Sequence, residues 1–292
     1  MRVTQSMLSN NMLRNLSTSY NKMGKLQDQL NTGKKVNRPS DDPVVAMKGM
    51  AYRTQVDKVA QYQRNLGEVN NYLDSSDDAL DKVGQAMHRA KELVTSAATG
   101  TMTPLDKEKV QSELNQLREQ IRDMANTKVG DKYIFSGTKT ASPLYDKQAG
   151  GYPAVDPNNP SAFEKSVDIE VFDGVTLNVN ANVLNLFKEI DDMFGEFANP
   201  DTDFSTAIAK VDANMDKVLT TRADIGARQN RVEMMGNRLD SQEASAKKQM
   251  SENEDIDYEK VITEMLTQES IHRAALSVGS RIIQPSLVDF LR

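Results

Sequence analysis

Residues 8–46 read LSNNMLRNLSTSYNKMGKLQDQLNTGKKVNRPSDDPVVA. Within them Met12, Leu16, Ser19, Met23, Leu26 and Leu30 recur at alternating steps of four and three, with polar residues over most of the other positions. That spacing is the seam of a coiled-coil helix, whose single apolar stripe needs a partner to cover it. Gly33 ends the pattern, since glycine most readily takes the left-handed conformation that closes a helix. An irregular link over 34–41 follows, and Asp42 then Pro43 read as the N-cap and first position of a second helix.

Downstream of Pro43 the alternation runs on through Tyr52, Gln55, Val59, Tyr62, Leu66, Val69, Leu73, Ser76, Leu80, Val83, Met87, Ala90 and Val94 with no proline to interrupt it. A helix from 43 to about 98 would be about 80 Å long at ~1.5 Å per residue. Gly100 stops it, and Thr103, Pro104 and Asp106 open a shorter helix with cap, proline and acid in their favoured places. Val110, Leu114, Leu117, Ile121 and Met124 supply its seam, and Gly130 marks the end of the helical half.

The period then changes. Residues 133–135 read as a strand, Val167, Ile169 and Val171 alternate, and Asp173-Gly174 separates them from a second alternating run over 175–179, a hairpin signal. The stretch 140–165, rich in Gly, Pro, Asn and Ser, reads as turns, and 184–197 as a short amphipathic helix ahead of Asn199-Pro200. From a cap at Asp203 the heptad resumes through Phe204, Ile208, Val211, Met215, Val218, Arg222, Ile225, Gln229, Val232, Gly236, Leu239, Glu243, Ala246 and Met250. Arg222, Gln229, Gly236 and Glu243 in the core phase would weaken a two-stranded zipper and point to a multi-helix bundle. SENEDID at 251–257 breaks the phase, and Asp257 caps a last helix carrying Val261, Ile262, Met265, Leu266, Leu276, Ile282 and Ile283 before Pro285.

This order predicts a mainly α fold, an elongated out-and-back helical rod (a coiled coil or helix bundle) with a small β-rich or α+β insertion. Three layers are expected: 1–41 with 256–292 as paired terminal helices at one end, 42–129 with 201–255 as the layer of long helices, and 130–200 as an insertion. The insertion, bounded by Gly130 and Pro200, should sit farthest out and fold as a separate small unit that tolerates change.

Composition agrees with long helices. In 292 residues aromatics make up 5%, tryptophan is absent, and polar and charged residues separate thin apolar stripes. The net charge of −6 is spread over both signs, which leaves no basic face for nucleic acid or anionic lipid. The absence of cysteine excludes disulfides, thiolate metal sites and cysteine nucleophiles. The N-terminus MRVTQSMLSN has no charged-then-apolar leader pattern, and no apolar run approaches the ~20 residues of a membrane span, so neither a cleaved signal nor a membrane association is expected.

The segment 30–46, LNTGKKVNRPSDDPVVA, resembles the N-terminal signature of the bacterial flagellin family, in the Arg38-Pro39-Ser40-Asp41-Asp42-Pro43 variant carried by its hook–filament junction members. Filament flagellins usually have a small residue and Ala-Ala-Gly where this chain has Pro39 and Pro43-Val44-Val45. RADIGARQNRVE at 222–233, with Arg222, Gly226, Ala227, Asn230 and Arg231, resembles the family's C-terminal signature, and KYIFSGT at 132–138 resembles the strand opening the junction members' outer domain. The resemblance implies a structural subunit of the extracellular bacterial flagellum that works by self-assembly, its three layers being an inner assembly domain, a helical shaft and an outer domain. It implies export through the flagellar type III apparatus and a cytoplasmic chaperone on the C-terminal helix. Its implied partners are copies of itself in a ring, hook-associated protein 1 on the hook side, and flagellin. Filament flagellin itself is the alternative; a secreted hydrolase with a helical stalk is a weaker one.

Residues that could carry chemistry are few. His88 and His272 lie far apart on predicted helices without metal-ligand spacing, and the acid clusters at Asp41-Asp42, Asp77-Asp78, Asp191-Asp192 and 252–257 read mostly as caps or solvated faces rather than a calcium loop or catalytic pair. No catalytic residue, cofactor or metal is expected. The last helix presents Val261 with Ile262, Met265 with Leu266, and Ile282 with Ile283, a stripe wider than one seam. Together with Leu276 and the first-helix residues Met12, Leu16, Met23, Leu26 and Leu30, these are the expected assembly interface. The first helix also carries Met7, and its methionines suit core filling and adaptable contact equally.

Overall fold

The computed structural model describes residues 5–98, 102–148, 150–154, 161–197 and 204–282. Along the chain lie α1 (Gln5–Thr32), α2 (Pro43–Ala98), α3 (Pro104–Ala125), β1 (Lys128–Val129), β2 (Lys132–Tyr133), β3 (Asp168–Phe172), β4 (Val175–Asn178), α4 (Leu184–Phe197), α5 (Phe204–Glu254) and α6 (Tyr258–Ile282). The fold is mainly α, with two small antiparallel hairpins among the described residues, β1–β2 and β3–β4. Residues 1–58 with 242–292 form one compact unit and 59–241 a second.

Local chemistry sets the helix ends. Gly33 closes α1 at φ +69°, and Asp42 Oδ1 accepts hydrogen bonds from the backbone N–H groups of Val44 (3.0 Å) and Val45 (3.1 Å) to open α2. Thr103 caps α3 by accepting from the Asp106 N–H, and its hydroxyl meets the Asp106 carboxylate at 2.7 Å. Asp257 caps α6, accepting from the Lys260 N–H at 3.2 Å. The break before α6 is shorter than 251–257, because α5 stays helical through Glu254. Helix α3 ends at Ala125 with Asn126 as its C-cap, so Gly130 (φ +61°) belongs to the β1–β2 turn and not to a helix end. Gly100, Asn199, Pro200, Asp203 and Pro285 lie outside the described residues.

In the second unit α2 and α5 pair antiparallel, as Gln63 with Asp240, Asp74 with Gln229, Asp77 with Arg222 and Lys91 with Asp212 require. The expected seam is the buried one: Val59, Leu66, Val69, Leu73, Ser76, Leu80, Val83, Met87, Ala90 and Val94 of α2 meet the core, as do Val211, Val218, Ile225, Val232 and Leu239 of α5. The polar positions in the α5 phase are half-buried and paired across the helices, Arg222 with Asp77 (2.9 Å) and Asp81 (2.6 Å), and Gln229 with Asp74 (2.8 Å). Helices α3 and α4 pack on each other and add Leu114, Ile121, Phe187, Ile190 and Phe194 to the same core.

The middle segment departs from expectation. Ile134 and Phe135 are buried but not in a strand, since the strand stops at Tyr133. Hairpin β3–β4 lies along the α2–α5 pair rather than beyond it. Phe172 stacks on Tyr62 with ring centroids 6.2 Å apart, Arg238 covers its ring at 4.4 Å, and Asn65 donates to the Glu170 carbonyl at 2.7 Å. Arg228 reaches the Asn180 carbonyl at 3.0 Å. The stretch 140–165 is also more than loop: Leu144 and Tyr145 are buried, and the Asn126 amide bonds both the N–H and C=O of Tyr145. The described part of 130–200 therefore shares one core with the helices, and deleting 140–165 would open that core.

Candidate functional site: an assembly surface on the terminal helices

Helices α1 and α6 pack on each other in the first unit. Met12 sits over Gly279, where an added Cβ would lie 1.9 Å from the methionine Cε; Gln268 donates to the Ser19 hydroxyl at 2.7 Å, and the Tyr20 and His272 rings are 6.3 Å apart. The pair is antiparallel, and it covers part of the stripe read from the sequence. Met12, Leu16, Met23, Leu26 and Leu30 are half-buried, Ser19 and Val261 are buried, and Met265 is half-buried.

The expected interface residues thus divide. One group closes the seam within the chain, while Ile262 (46% exposed), Leu266 (57%) and Leu276 (50%) remain open to solvent. The Ile282 side chain and Ile283 lie outside the described residues. Met7, Leu8, Leu13, Tyr20, Tyr258, Ile271 and Val278 join the exposed group, and Val44, Met47 and Met50 form a further exposed stripe on the first turns of α2. That second stripe was not read from the sequence, although its three-residue spacing inside a helical run was the available signal. In the second unit only Leu105, Leu219 and Met234 are large apolar residues this exposed among the described residues.

The link between α1 and α2 is tied to the link between α5 and α6. Lys34 and Asp255 form an antiparallel bridge, with Lys35 N–H donating to the Glu254 carbonyl (2.7 Å) and Ile256 N–H to the Gly33 carbonyl (3.1 Å). Glu254, 6% exposed, takes Arg53 at 2.8 Å and Lys34 at 3.4 Å on one carboxylate oxygen. Burial pushes that carboxyl up, but Arg53 and Lys34 outweigh it and hold the group below the ordinary glutamate range. The Asp255 carboxylate in turn raises the Lys34 ammonium through a 2.6 Å hydrogen bond. The sequence marks 251–257 as a break with a cap and an acidic cluster, not as a buried contact; Gly49, inside a helical run, is the local sign that something packs against α2 there.

The signature residues occupy two places. Arg38, Pro39, Ser40 and Asp41 are exposed in the α1–α2 link, followed by the capping Asp42 and by Pro43 at the helix start. On α5 Arg222 makes the ion pairs to α2, whereas Ala227, Asn230 and Arg231 are exposed and nothing lies within 4 Å of a Cβ placed on Gly226. Among the described residues no grouping of three His, Cys, Asp or Glu could hold a metal ion, and no helix is long and apolar enough to cross a membrane. His88 is exposed, and His272 is half-buried in the α1–α6 seam. Asp191, read as a solvated acid, is instead buried between Arg118 and Arg122.

A paired-terminus helical chain with two signature segments and an uncovered apolar face defines a class. The bacterial flagellin N-terminal helical region matches residues 3–140 and the C-terminal helical region matches 208–291, and the chain belongs to the bacterial flagellin family. Flagellar hook-associated protein 3 of Escherichia coli (strain K12) is 26% identical over 298 residues, covering 93% of each chain. The protein of the same name from Salmonella typhimurium is 24% identical over 94% of this chain and 95% of its own. A solved Vibrio parahaemolyticus structure, described as that of a flagellar hook-associated protein, superposes with a TM-score of 0.62 at 25% identity, covering 74% of this chain and 100% of that one. The chain is a structural component of the bacterial flagellum.

Proposed function

We propose that this chain is the junction subunit that joins a hook-side junction protein, of the hook-associated protein 1 type, to the flagellin filament, acting by assembly and without catalysis. The observation that carries the reading is the concentration of exposed large apolar side chains in the first unit. A soluble monomer rarely leaves so much apolar surface open on one unit, and burial against neighbours at about 25 cal/mol per Å2 is the driving force such a surface offers. Residues 1–41 and 256–292 would make the ring contacts between copies, 42–129 and 201–255 the surrounding helical layer, and 130–200 the outer surface. The wide apolar face of α6 also suits a cytoplasmic chaperone before export through the flagellar type III route.

Electron microscopy of a deletion strain tests this. Hooks should persist without filaments while flagellin accumulates in the medium as monomer, and the wild-type gene should restore filaments. Were the chain filament flagellin itself, hooks would persist but no second flagellin would be released.

A further inference from the structure

The joint between the terminal helix pair and the long helices holds a buried acid whose placement the assembly reading does not require. One oxygen of Glu254 takes Arg53 and Lys34; the other, Oε1, is buried with no hydrogen-bond partner among the described residues. Oε1 faces the backbone of α2 at Gly49, where a Cβ would lie 2.2 Å from it and 3.0 Å from Cδ. No side chain other than hydrogen leaves room there. A buried carboxylate with an unsatisfied oxygen is costly, so it persists only where the surrounding structure holds it.

What holds it is the stitched pair of helix breaks. Hydrogen bonds from Lys35 N–H to the Glu254 carbonyl and from Ile256 N–H to the Gly33 carbonyl flank residues 34 and 255, which makes these a non-hydrogen-bonded antiparallel pair. Gly33 itself needs its left-handed φ of +69°, and the Tyr258 hydroxyl would lie 2.8 Å from any Cβ on it. From these contacts we infer that Glu254, seated in the Gly49 socket, is the positioning residue that sets the joint within a single chain, before any neighbour is bound. The inference rests on the assembly reading only for its consequence, that a preset joint presents the terminal helices in the geometry neighbours accept. Neighbouring copies then recognise the joint and do not create it.

The test uses the full chain. Gly49→Ala must expel the carboxylate, and Glu254→Gln keeps its shape but removes the charge that Arg53 and Lys34 hold. In both, amide hydrogen exchange at Lys35 and Ile256 should rise about tenfold or more while amides of Leu73, Leu80 and Val83 stay as protected as in wild type. Fewer hooks in the complemented deletion strain should carry filaments. Lys34→Cys with Asp255→Cys places a thiol pair where antiparallel side chains lie closest, in a chain with no other cysteine, so the disulfide formed is unique. Added to Gly49→Ala and oxidised, it should restore protection at Lys35 and Ile256 and the filament yield on hooks supplied with purified chain and flagellin. Wild-type exchange in both Gly49→Ala and Glu254→Gln would overturn the inference. So would a cross-link that restores protection but not filaments. If the wild-type chain fails to complement, the junction reading fails, while the exchange data still judge the joint.

Discussion

Replacing Asp191 by asparagine probes the strongest polar constraint in the second unit. Arg118 grips the carboxylate through Nε and Nη2, both at 2.8 Å, and Arg122 grips it through Nε at 2.7 Å and Nη2 at 3.1 Å. The three side chains are only 23%, 13% and 12% exposed, and the Arg122 guanidinium also lies 4.4 Å over the Tyr145 ring. Asparagine keeps the shape, removes the charge and turns an NH2 toward two guanidinium groups, leaving both cations without a counter-charge. Breaking a buried ion pair costs ~3–5 kcal/mol, and the partial exposure of Arg118 lets water offset part of that, so about 3 kcal/mol is expected. For a unit of this size that is a fall in melting temperature of roughly 6–12 °C. Glu189→Gln is the control, because Lys217 and Glu189 are each about half exposed and such pairs contribute only ~0–1 kcal/mol. Melting followed by circular dichroism at 222 nm, with tyrosine emission as a second probe, reads both variants. Burial pushes the Asp191 carboxyl up, but the two arginines outweigh it and hold it below the ordinary aspartate range. A lowered native pKa contributes stability that is present above the unfolded value and lost as pH falls through the native one. The gap between wild type and Asp191→Asn should therefore be full at pH 7 and shrink only below about pH 4. If Asp191→Asn melts like Glu189→Gln at pH 7, the cluster is not a buried ion network and the reasoning is wrong.

Leu73→Asp puts a charge at a side chain 1% exposed in the α2 seam and should cost ~3–5 kcal/mol, with helix content and melting temperature falling together; wild-type melting would mean the seam faces elsewhere. Ile262→Asp with Leu276→Asp, on exposed positions, should leave monomer stability within about 0.5 kcal/mol of wild type yet abolish filament attachment in the deletion strain. Normal attachment would remove the α6 face from the interface. The α1–α6 pair has Ser19, Gln268, His272 and Gly279 in or beside its seam and should open more readily than α2 in the free chain. Brief proteolysis of the monomer should trim both ends and stop near residues 40 and 255, and hydrogen exchange as slow in α1 and α6 as at 60–95 would show a self-sufficient terminal pair instead.

Much of this protein is written in local order along the chain. The bounds of α2 and α4, the caps at Asp42, Thr103 and Asp257, and the phase that buries Val69, Leu80 and Val94 all follow from residue spacing and from the needs of helix ends, which involve only neighbours in sequence. The tertiary structure alone decided what depends on partners brought from afar. Asp191 reads as a solvated acid until α3 supplies two arginines, and Glu254 reads as one acid in a charged break until Gly49 and Arg53 of α2 close around it. The β3–β4 hairpin announces itself by alternation and turn, but its place against Tyr62 and Arg238 has no sequence signature, because ring and cation contacts leave no period. On the terminal helices, spacing located the apolar residues, yet only the α1–α6 crossing separated Leu26 and Val261, which the chain covers itself, from Ile262 and Leu276, which it leaves exposed. A periodic pattern specifies that a face must be covered, and packing determines which part of it the chain covers itself.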